Sequence, residues 1–284
     1  MCLSDGAWGR SMRCLVINLD RSPARLAHMT AEFSRIGVTF DRVAAVDGLS
    51  SPEIADMSAN LSLSEIACFL SHKACWQIIA KGDDAYCAIF EDDAVLTETA
   101  GRLLASEGWI PNGADIIKME TVFRKAVIAM KQVFVGHGYV LHRLHGLHSG
   151  SAGYIVSRQA ARDLVEATQN NELPIDDVIF NQALATSSSK VIYQLSPALC
   201  TQASYLRDKA AEFPSEIEQT RAALQQKRKL VNPRGKAPLA KFAIEAKRVW
   251  RQIFDICRLR REKTIPFDYR GKRMRRAMAY ASMR

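Results

Sequence analysis

Apolar residues in this chain fall into short continuous runs separated by stretches with a helical period. Arg13–Asn18 (R-C-L-V-I-N) is apolar between its ends and predicts a strand buried on both faces. Ser22-Pro23 then offers a helix cap and a first-turn proline. Leu26, Met29, Phe33 and Ile36 share one face of a helix over 23–36, and Gly37 closes it. A second strand over 40–46 ends at Asp47-Gly48, and 49–61 is irregular. Ser62 or Ser64 caps a helix over 65–80 that stops at Lys81-Gly82. The apolar run Tyr86–Phe90 predicts a central strand, and Glu91, Asp92 and Asp93 follow it at once.

Beyond these acids the pattern predicts a helix over 96–107, a strand over 115–120 and short strands over 126–130 and 133–135. A small-residue turn at Ser149–Gly153 leads into another strand, then a helix over 158–168 and a helix start at Pro174. Strands over 191–195 and 197–202 close the series. The strand–helix–strand opening is that of a nucleotide-binding α/β domain. Neither G-x-G-x-x-G nor G-x-x-x-x-G-K-[ST] occurs, so dinucleotide and P-loop readings are poor.

Length and charge divide the chain. The 284 residues suit one large domain plus an appendage, and 48% apolar content supports a sizeable core. No apolar run approaches the roughly 20 residues of a membrane span, and the first residues lack the apolar stretch of an export signal. Residues 1–12 read as a dispensable lead. Residues 236–284 hold 15 Lys plus Arg against 4 Asp plus Glu, whereas 1–235 hold 24 against 26. The basicity therefore belongs to the C-terminal part. There, 206–235 read as a polar helix and linker, and Phe242, Ala246, Val249, Trp250, Ile253 and Cys257 recur at helical spacing within 237–261. Basic residues beside that stripe suit the surface of an anionic membrane, with packing onto the domain as the plainer alternative. Nucleic acid is a poor partner, because no recognition motif accompanies the charge. The seven cysteines include no C-x-x-C pair, so a cysteine-based zinc site is not expected, and reduced thiols in a cytoplasm are.

Three consecutive carboxylates at the end of a buried strand repel one another, and a divalent cation is the economical compensation. A solvated acidic turn is the plain alternative. His72, in mid-helix, has its own plain reading as a hydrogen-bonded structural group. Of His137, His142, His145 and His148, at least three read as surface or structural groups. Gly150 and Gly153 would let backbone N–H groups approach a ligand. Asp176 and Asp177 sit where acids also cap helices.

Six segments occur in a familiar order: L-V-I-N-L-D-R-S-P-A-R (15–25), A-A-V-D-G (44–48), S-E-I-A-C-F-L-S-H-K-A-C-W (64–76), F-E-D-D (90–93), S-A-G-Y-I-V-S-R-Q-A-A (151–161) and P-I-D-D (174–177). Together, over about 13–205, they resemble glycosyltransferase family 25, which includes bacterial lipooligosaccharide galactosyltransferases. The resemblance implies a GT-A-like α/β fold with a central, mainly parallel sheet flanked by helices; it does not cover the tail, where charge and spacing predict a basic helical extension over 206–284. It implies transfer of a sugar, commonly galactose, from a UDP-sugar to a cell-envelope glycan or glycolipid, with inversion; the basic tail separately suggests the inner face of the cytoplasmic membrane as the location. The E-D-D run is then the counterpart of a D-x-D motif.

Within that reading, Mn²⁺ or Mg²⁺ bridges the diphosphate and absorbs its growing charge. Asp93 is the expected metal ligand, with Glu91 or Asp92 assisting it or meeting the ribose. Asn18, Arg21 and Arg25 lie at the first strand's end, where the arginines could fork onto phosphates. Asp47 is placed at the base or ribose and His72 near the pyrophosphate or donor sugar. The acceptor hydroxyl needs a base, for which Asp176 is preferred, then Asp177, with Glu120 behind them. A nucleotidyl or phosphoryl transferase, or a non-catalytic glycan- or membrane-binding protein on the same scaffold, are the alternatives.

Overall fold

The computed structural model describes residues 11–50, 54, 61–169, 173–210 and 258–277. The chain opens with β1 (Arg13–Asn18), α1 (Pro23–Ile36), β2 (Asp41–Ala44), α2 (Leu63–Lys81) and β3 (Tyr86–Glu91). Then come β4 (Ala94–Leu96), α3 (Ala100–Leu104), β5 (Ile116–Lys118), β6 (Lys125–Gly136), β7 (Tyr139–His145) and β8 (Gly153–Ser157). Helices α4 (Arg158–Ala167), α5 (Ile175–Phe180) and α6 (Ala185–Ser188) precede β9 (Ile192–Ser196) and β10 (Cys200–Gln202). Near the C-terminus lie β11 (Arg260–Thr264), β12 (Phe267–Tyr269) and β13 (Lys272–Met274).

Nine strands form one sheet in the order β11-β6-β7-β9-β5-β8-β3-β1-β2. Side chains alternate across it as the pleat requires. Leu15 and Ile17 of β1, with Cys87 and Ile89 of β3, pack toward Phe69, Trp76 and Ile79 of α2 and Leu164 of α4. Cys14, Val16, Ala88 and Phe90 point the other way, toward Met29 and Phe33 of α1 and Leu103 of α3. The sheet is thus covered on both faces. By the same alternation Glu91, following Phe90, turns back toward α2.

The sheet is mixed rather than mainly parallel. Only β1–β2, β1–β3 and β5–β9 pair parallel; β8 runs antiparallel between β3 and β5, and β6, β7, β9 and β11 join antiparallel. The short β6–β7 connection at His137-Gly138 is a hairpin, which an antiparallel pair allows and a parallel pair does not. The two short strands expected at 126–130 and 133–135 are one strand interrupted by a bulge between Ile128 and Gln132. The helix expected over 96–107 shrinks to Ala100–Leu104, because Ala94–Leu96 pairs with β10.

The basic extension is not helical where it is described. Arg260–Thr264 is an edge strand on β6, and Ile265, Phe267 and Met274 are buried in the main core. The strand Arg260–Thr264 itself carries no apolar residue; beyond it Ile265, Phe267 and Tyr269 alternate with Pro266 and Asp268, a period that suits a half-buried strand better than a helix face. Residues 211–257, which hold most of the expected amphipathic helix, lie outside the described residues. So do residues 1–10 of the expected lead. Met12 is no dispensable lead: it is 2% exposed, and its N–H donates to Leu104 O.

Candidate active site

The ends of β1 and β3 lie side by side because the two strands pair in parallel, with Ile17 opposite Glu91. This brings Asn18 to the acids that follow β3. Asn18 Nδ2 donates to Asp92 Oδ2 at 2.7 Å, and Arg25 donates to Asp92 Oδ1 at 2.8 Å. Pro23 starts α1 directly after the strand, which is why Arg25 sits in the first turn, over this point. Asp92 is therefore held by two side chains of the β1–α1 unit.

Glu91 faces α2. The capping box of Ser62 and Glu65 sets the start of that helix, and His72 lies mid-helix with Nε2 3.3 Å from Glu91 Oε1. Ser151 Oγ donates to the same oxygen at 2.7 Å. His72 Nδ1 is 3.0 Å from the Tyr154 hydroxyl, which accepts from Trp76 Nε1 at 2.9 Å. Burial alone would raise the Glu91 carboxyl. The His72 and Ser151 hydrogen bonds, with the His72 and Lys118 charges, outweigh it and hold Glu91 below its ordinary range.

Asp93 is different. It is 4% exposed, and its Oδ1 has no hydrogen-bond partner among the described residues. Burial, then the neighbouring Glu91 charge, pushes its carboxyl up to about 8 despite Arg25. Gln202 Nε2 stands between the two acids, 3.3 Å from Glu91 Oε2 and 3.5 Å from Asp93 Oδ2. That amide nitrogen supplies partial positive charge at the point where a cation would be held. An orphaned buried carboxylate oxygen beside an ionised glutamate fits a hard divalent cation.

These groups open onto a pocket of about 370 Å³. Asn18, Arg21, Arg25, Asp47, His72, Glu91, Asp92 and Asp93 all line it, so every expected nucleotide- and metal-binding residue meets in one cleft. Arg21 Nε donates to Asp47 Oδ2 at 2.8 Å, so these two face each other across the mouth. Backbone and arginine hydrogen bonds hold Asp47 below the ordinary carboxylate range.

The expected bases do not line this cleft. Asp176 Oδ2 accepts the Gly150 N–H at 2.9 Å, and Glu120 Oε2 accepts the Ala152 N–H at 3.0 Å. Asp177, like Asp176, lies half-buried in the first turn of α5. Glu120 is fully buried beside Lys118, and burial pushes it up to about 7. Gly150, at φ +93°, leaves no room for a Cβ, which would stand 2.5 Å from Glu120 Oε2. A Cβ on Gly153 would collide with Cys200 Sγ. The glycines thus serve close packing within the protein, and the Gly150 N–H meets Asp176 rather than facing the cleft. Among the clustered histidines, His142 and His148 are buried, and His145 Nδ1 lies 3.3 Å from Gln182 Oε1.

Ser151, Tyr154 and Gln202 belong to the site without having been singled out. Ser151 and Tyr154 fall within the 151–161 segment, but nothing local marks them as partners of Glu91 and His72. Gln202 reaches the acids only because β10 pairs with β4.

A mixed α/β sheet with an acid-floored, arginine-flanked cleft at its strand ends defines an enzyme of the group-transfer type. The family model for glycosyltransferase family 25 (LPS biosynthesis protein) matches residues 12–179, and the chain belongs to this family and is a glycosyltransferase. It is 29% identical over 260 residues to the lipooligosaccharide biosynthesis protein lic2B of Haemophilus influenzae, covering 84% of this chain and 93% of that one. It is 33% identical over 208 residues to the lacto-N-neotetraose biosynthesis glycosyltransferase LgtE of Neisseria meningitidis serogroup B, covering 66% and 72%. LgtB of Neisseria gonorrhoeae is 32% identical over 204 residues, covering 66% and 73%. Among the described residues no helix is long and apolar enough to cross a membrane.

Proposed function

We propose that this chain transfers galactose from UDP-galactose to the saccharide of a lipooligosaccharide acceptor, on a GT-A-like fold, with Mn²⁺ or Mg²⁺ bound at Glu91 and Asp93. The observation that carries the reading is the partnerless Asp93 oxygen on the floor of the arginine-flanked cleft. When bound, such an ion supplies positive charge to the departing diphosphate.

The chain's own residues supply the rest. Arg21 and Arg25 present guanidinium groups to phosphate oxygens, and Asp47 opposite them is placed for ribose or base hydroxyl and amine groups. Asp92 holds the β1–α1 junction and keeps Arg25 aimed at the cleft. His72, locked by Tyr154 and Trp76, orients Glu91. Gln202 moves off the acids when a cation takes their charge. Asp176 is the proposed base for the acceptor hydroxyl. The Gly150 N–H holds its carboxylate one residue from Ser151, so it stands near the Glu91 end of the cleft. Glu120 supports the same turn from beneath. The acceptor is proposed to lie on the inner face of the cytoplasmic membrane, with the basic residues of 258–276 turned toward anionic lipid.

The test is a donor screen on the full chain with a terminally truncated lipooligosaccharide acceptor. UDP-galactose with Mn²⁺ is expected to give product, and a chelator to abolish it. UDP-, GDP- and CMP-sugars are compared by thermal shift, where the bound donor raises the unfolding temperature by mass action. Turnover that is equal with chelator and with Mn²⁺ removes the ion from the reading. A thermal shift with a GDP- or CMP-sugar alone removes the UDP donor.

A further inference from the structure

Beside the acidic floor, the cleft has a wall of different chemistry. Cys68 and His72 are four residues apart on α2, so they rise from one face of that helix. Cys68 Sγ, a His72 ring nitrogen and a Glu91 oxygen all lie within 4.8 Å of one another. Thiolate, imidazole and carboxylate together form the donor set that thiophilic d-block ions prefer, whereas Mg²⁺ and Mn²⁺ prefer oxygen alone. A C-x-x-x-H pair on a helix is a different pattern from the absent C-x-x-C.

We propose that Cys68, His72 and Glu91 form a binding site for a thiophilic divalent cation, Zn²⁺ in particular, distinct from the oxygen-lined Glu91–Asp93 position and sharing Glu91 with it. Tetrahedral zinc with bonds of about 2.0–2.3 Å sets its ligand atoms roughly 3.3–3.8 Å apart. His72 Nε2 and Glu91 Oε1, at 3.3 Å, already have that spacing. Cys68 Sγ lies within 4.8 Å of both, and a rotamer adjustment brings it to that spacing.

The surroundings supply the support that metal-bound histidines and carboxylates normally have. Tyr154 OH, fixed by Trp76, meets the other ring nitrogen of His72, and Ser151 holds Glu91. In the structure His72 Nε2 faces Glu91. On binding, that position carries the ion, the ring proton sits on Nδ1, and Tyr154 oxygen accepts it on a lone pair that Trp76 does not use. The Cys68 thiol releases its proton to solvent, as does His72 Nε2 when the ring carries a second proton. One thiolate and one carboxylate then neutralise the divalent ion, and the fourth position faces the cleft. Because Glu91 cannot serve both ions fully, zinc in this site weakens the hold on a hard ion at Asp93. Only that last consequence rests on the proposed function.

Two measurements test the site on the full chain. The first needs no variant. Cys68 is partly buried while Cys14, Cys75, Cys87 and Cys200 are buried, so among the described cysteines it is the one open to alkylation. Zn²⁺ is expected to slow iodoacetamide labelling of Cys68, mapped by mass spectrometry, at least tenfold, and Mg²⁺ to leave it unchanged. Labelling unaffected by Zn²⁺, or slowed equally by Mg²⁺, overturns the proposal. The second uses Co²⁺ as a spectroscopic probe. One equivalent is expected to give a thiolate-to-cobalt absorption band that Cys68→Ser removes, with the variant's far-ultraviolet dichroism unchanged. A band of equal strength in the folded variant, or none in the unaltered chain, overturns the proposal. Because neither readout involves sugar transfer, a failed donor screen leaves this result standing, and the reverse also holds.

Discussion

Glu91, Asp92 and Asp93 are neighbours in sequence, whereas Glu120 and Asp176 meet only through the turn at Gly150–Ala152. The first group is held by side chains: Asn18, Arg25, His72, Ser151 and Gln202. The second is held largely by backbone N–H groups, with Lys118 beneath. Side chains can swing aside for a ligand; a turn locked by a positive-φ glycine cannot. The difference separates acids whose partners can be exchanged from acids whose position is fixed by the backbone. Both groups contain a buried oxygen without a partner, Asp93 Oδ1 and Glu120 Oε1, but only Asp93 lines the cleft. Burial by itself does not distinguish the two.

The largest effect that tests this contrast is on catalysis. Asp93→Ala is expected to lower sugar transfer at least about a hundredfold, the loss typical of removing one electrostatic contact to a developing charge. The folded protein should be no less stable, because the substitution removes a buried carboxyl that burial and Glu91 both disfavour. Thermal unfolding and product formation measured on one preparation check both halves. An Asp93→Ala protein that unfolds early and transfers normally would reverse the assignment of the two clusters.

A smaller effect concerns Glu120. Its carboxyl is raised from 4.5 to about 7, burial being the main cause. A raised folded-state value means that the folded chain binds the proton more tightly than the unfolded chain. The resulting stability is complete below about pH 4.5 and is lost as pH rises to about 7. The full span is about 3 kcal/mol at about 1.4 kcal/mol per unit. Denaturant unfolding of wild type and Glu120→Gln between pH 4.5 and 7.5 reads it, and the wild-type curve should fall relative to the variant. Parallel curves would show that Glu120 is solvated rather than buried.

The contrast also marks what the chain discloses before folding. The acid run announces itself because its three carboxylates are consecutive and follow an apolar strand. Its partners Asn18 and Arg25 are readable because strand, proline and helix follow one another without a gap. The second cluster is legible only as separate residues, since its geometry depends on β8 lying antiparallel between β3 and β5. No local period encodes that placement. Gln202 is hidden for the same reason, and so is β11, whose partner β6 lies more than a hundred residues earlier. Local pattern thus carries the β1–α1–β2 and α2–β3 half, where contacts are near in sequence. The antiparallel half is decided by long-range pairing. The glycines at 150 and 153 mislead for a related reason. A small residue signals close approach, but the neighbour it admits can be the protein itself.

Asp92 gives the smallest effect and the finest division, because it lies inside the movable cluster yet is held like a fixed one. Asn18 and Arg25 each donate to a different oxygen of its carboxylate, and Arg42 in turn donates to Asn18. Asp92→Ala removes the acceptor for both and is expected to cost about 2 kcal/mol of stability, the scale for charge-assisted hydrogen bonds at a buried site. A double-mutant cycle with Asn18→Ala locates the cause. If Asp92 is a clamp on the β1–α1 junction, the two losses overlap and the double variant is little worse than the worse single one. The donor's KM then rises, because Arg25 loses its aim, while kcat changes less. If instead Asp92 meets the donor directly, the stability losses add and transfer falls as steeply as it does for Asp93→Ala. The cycle therefore decides whether all three consecutive acids face the reaction or whether the middle one anchors the other two.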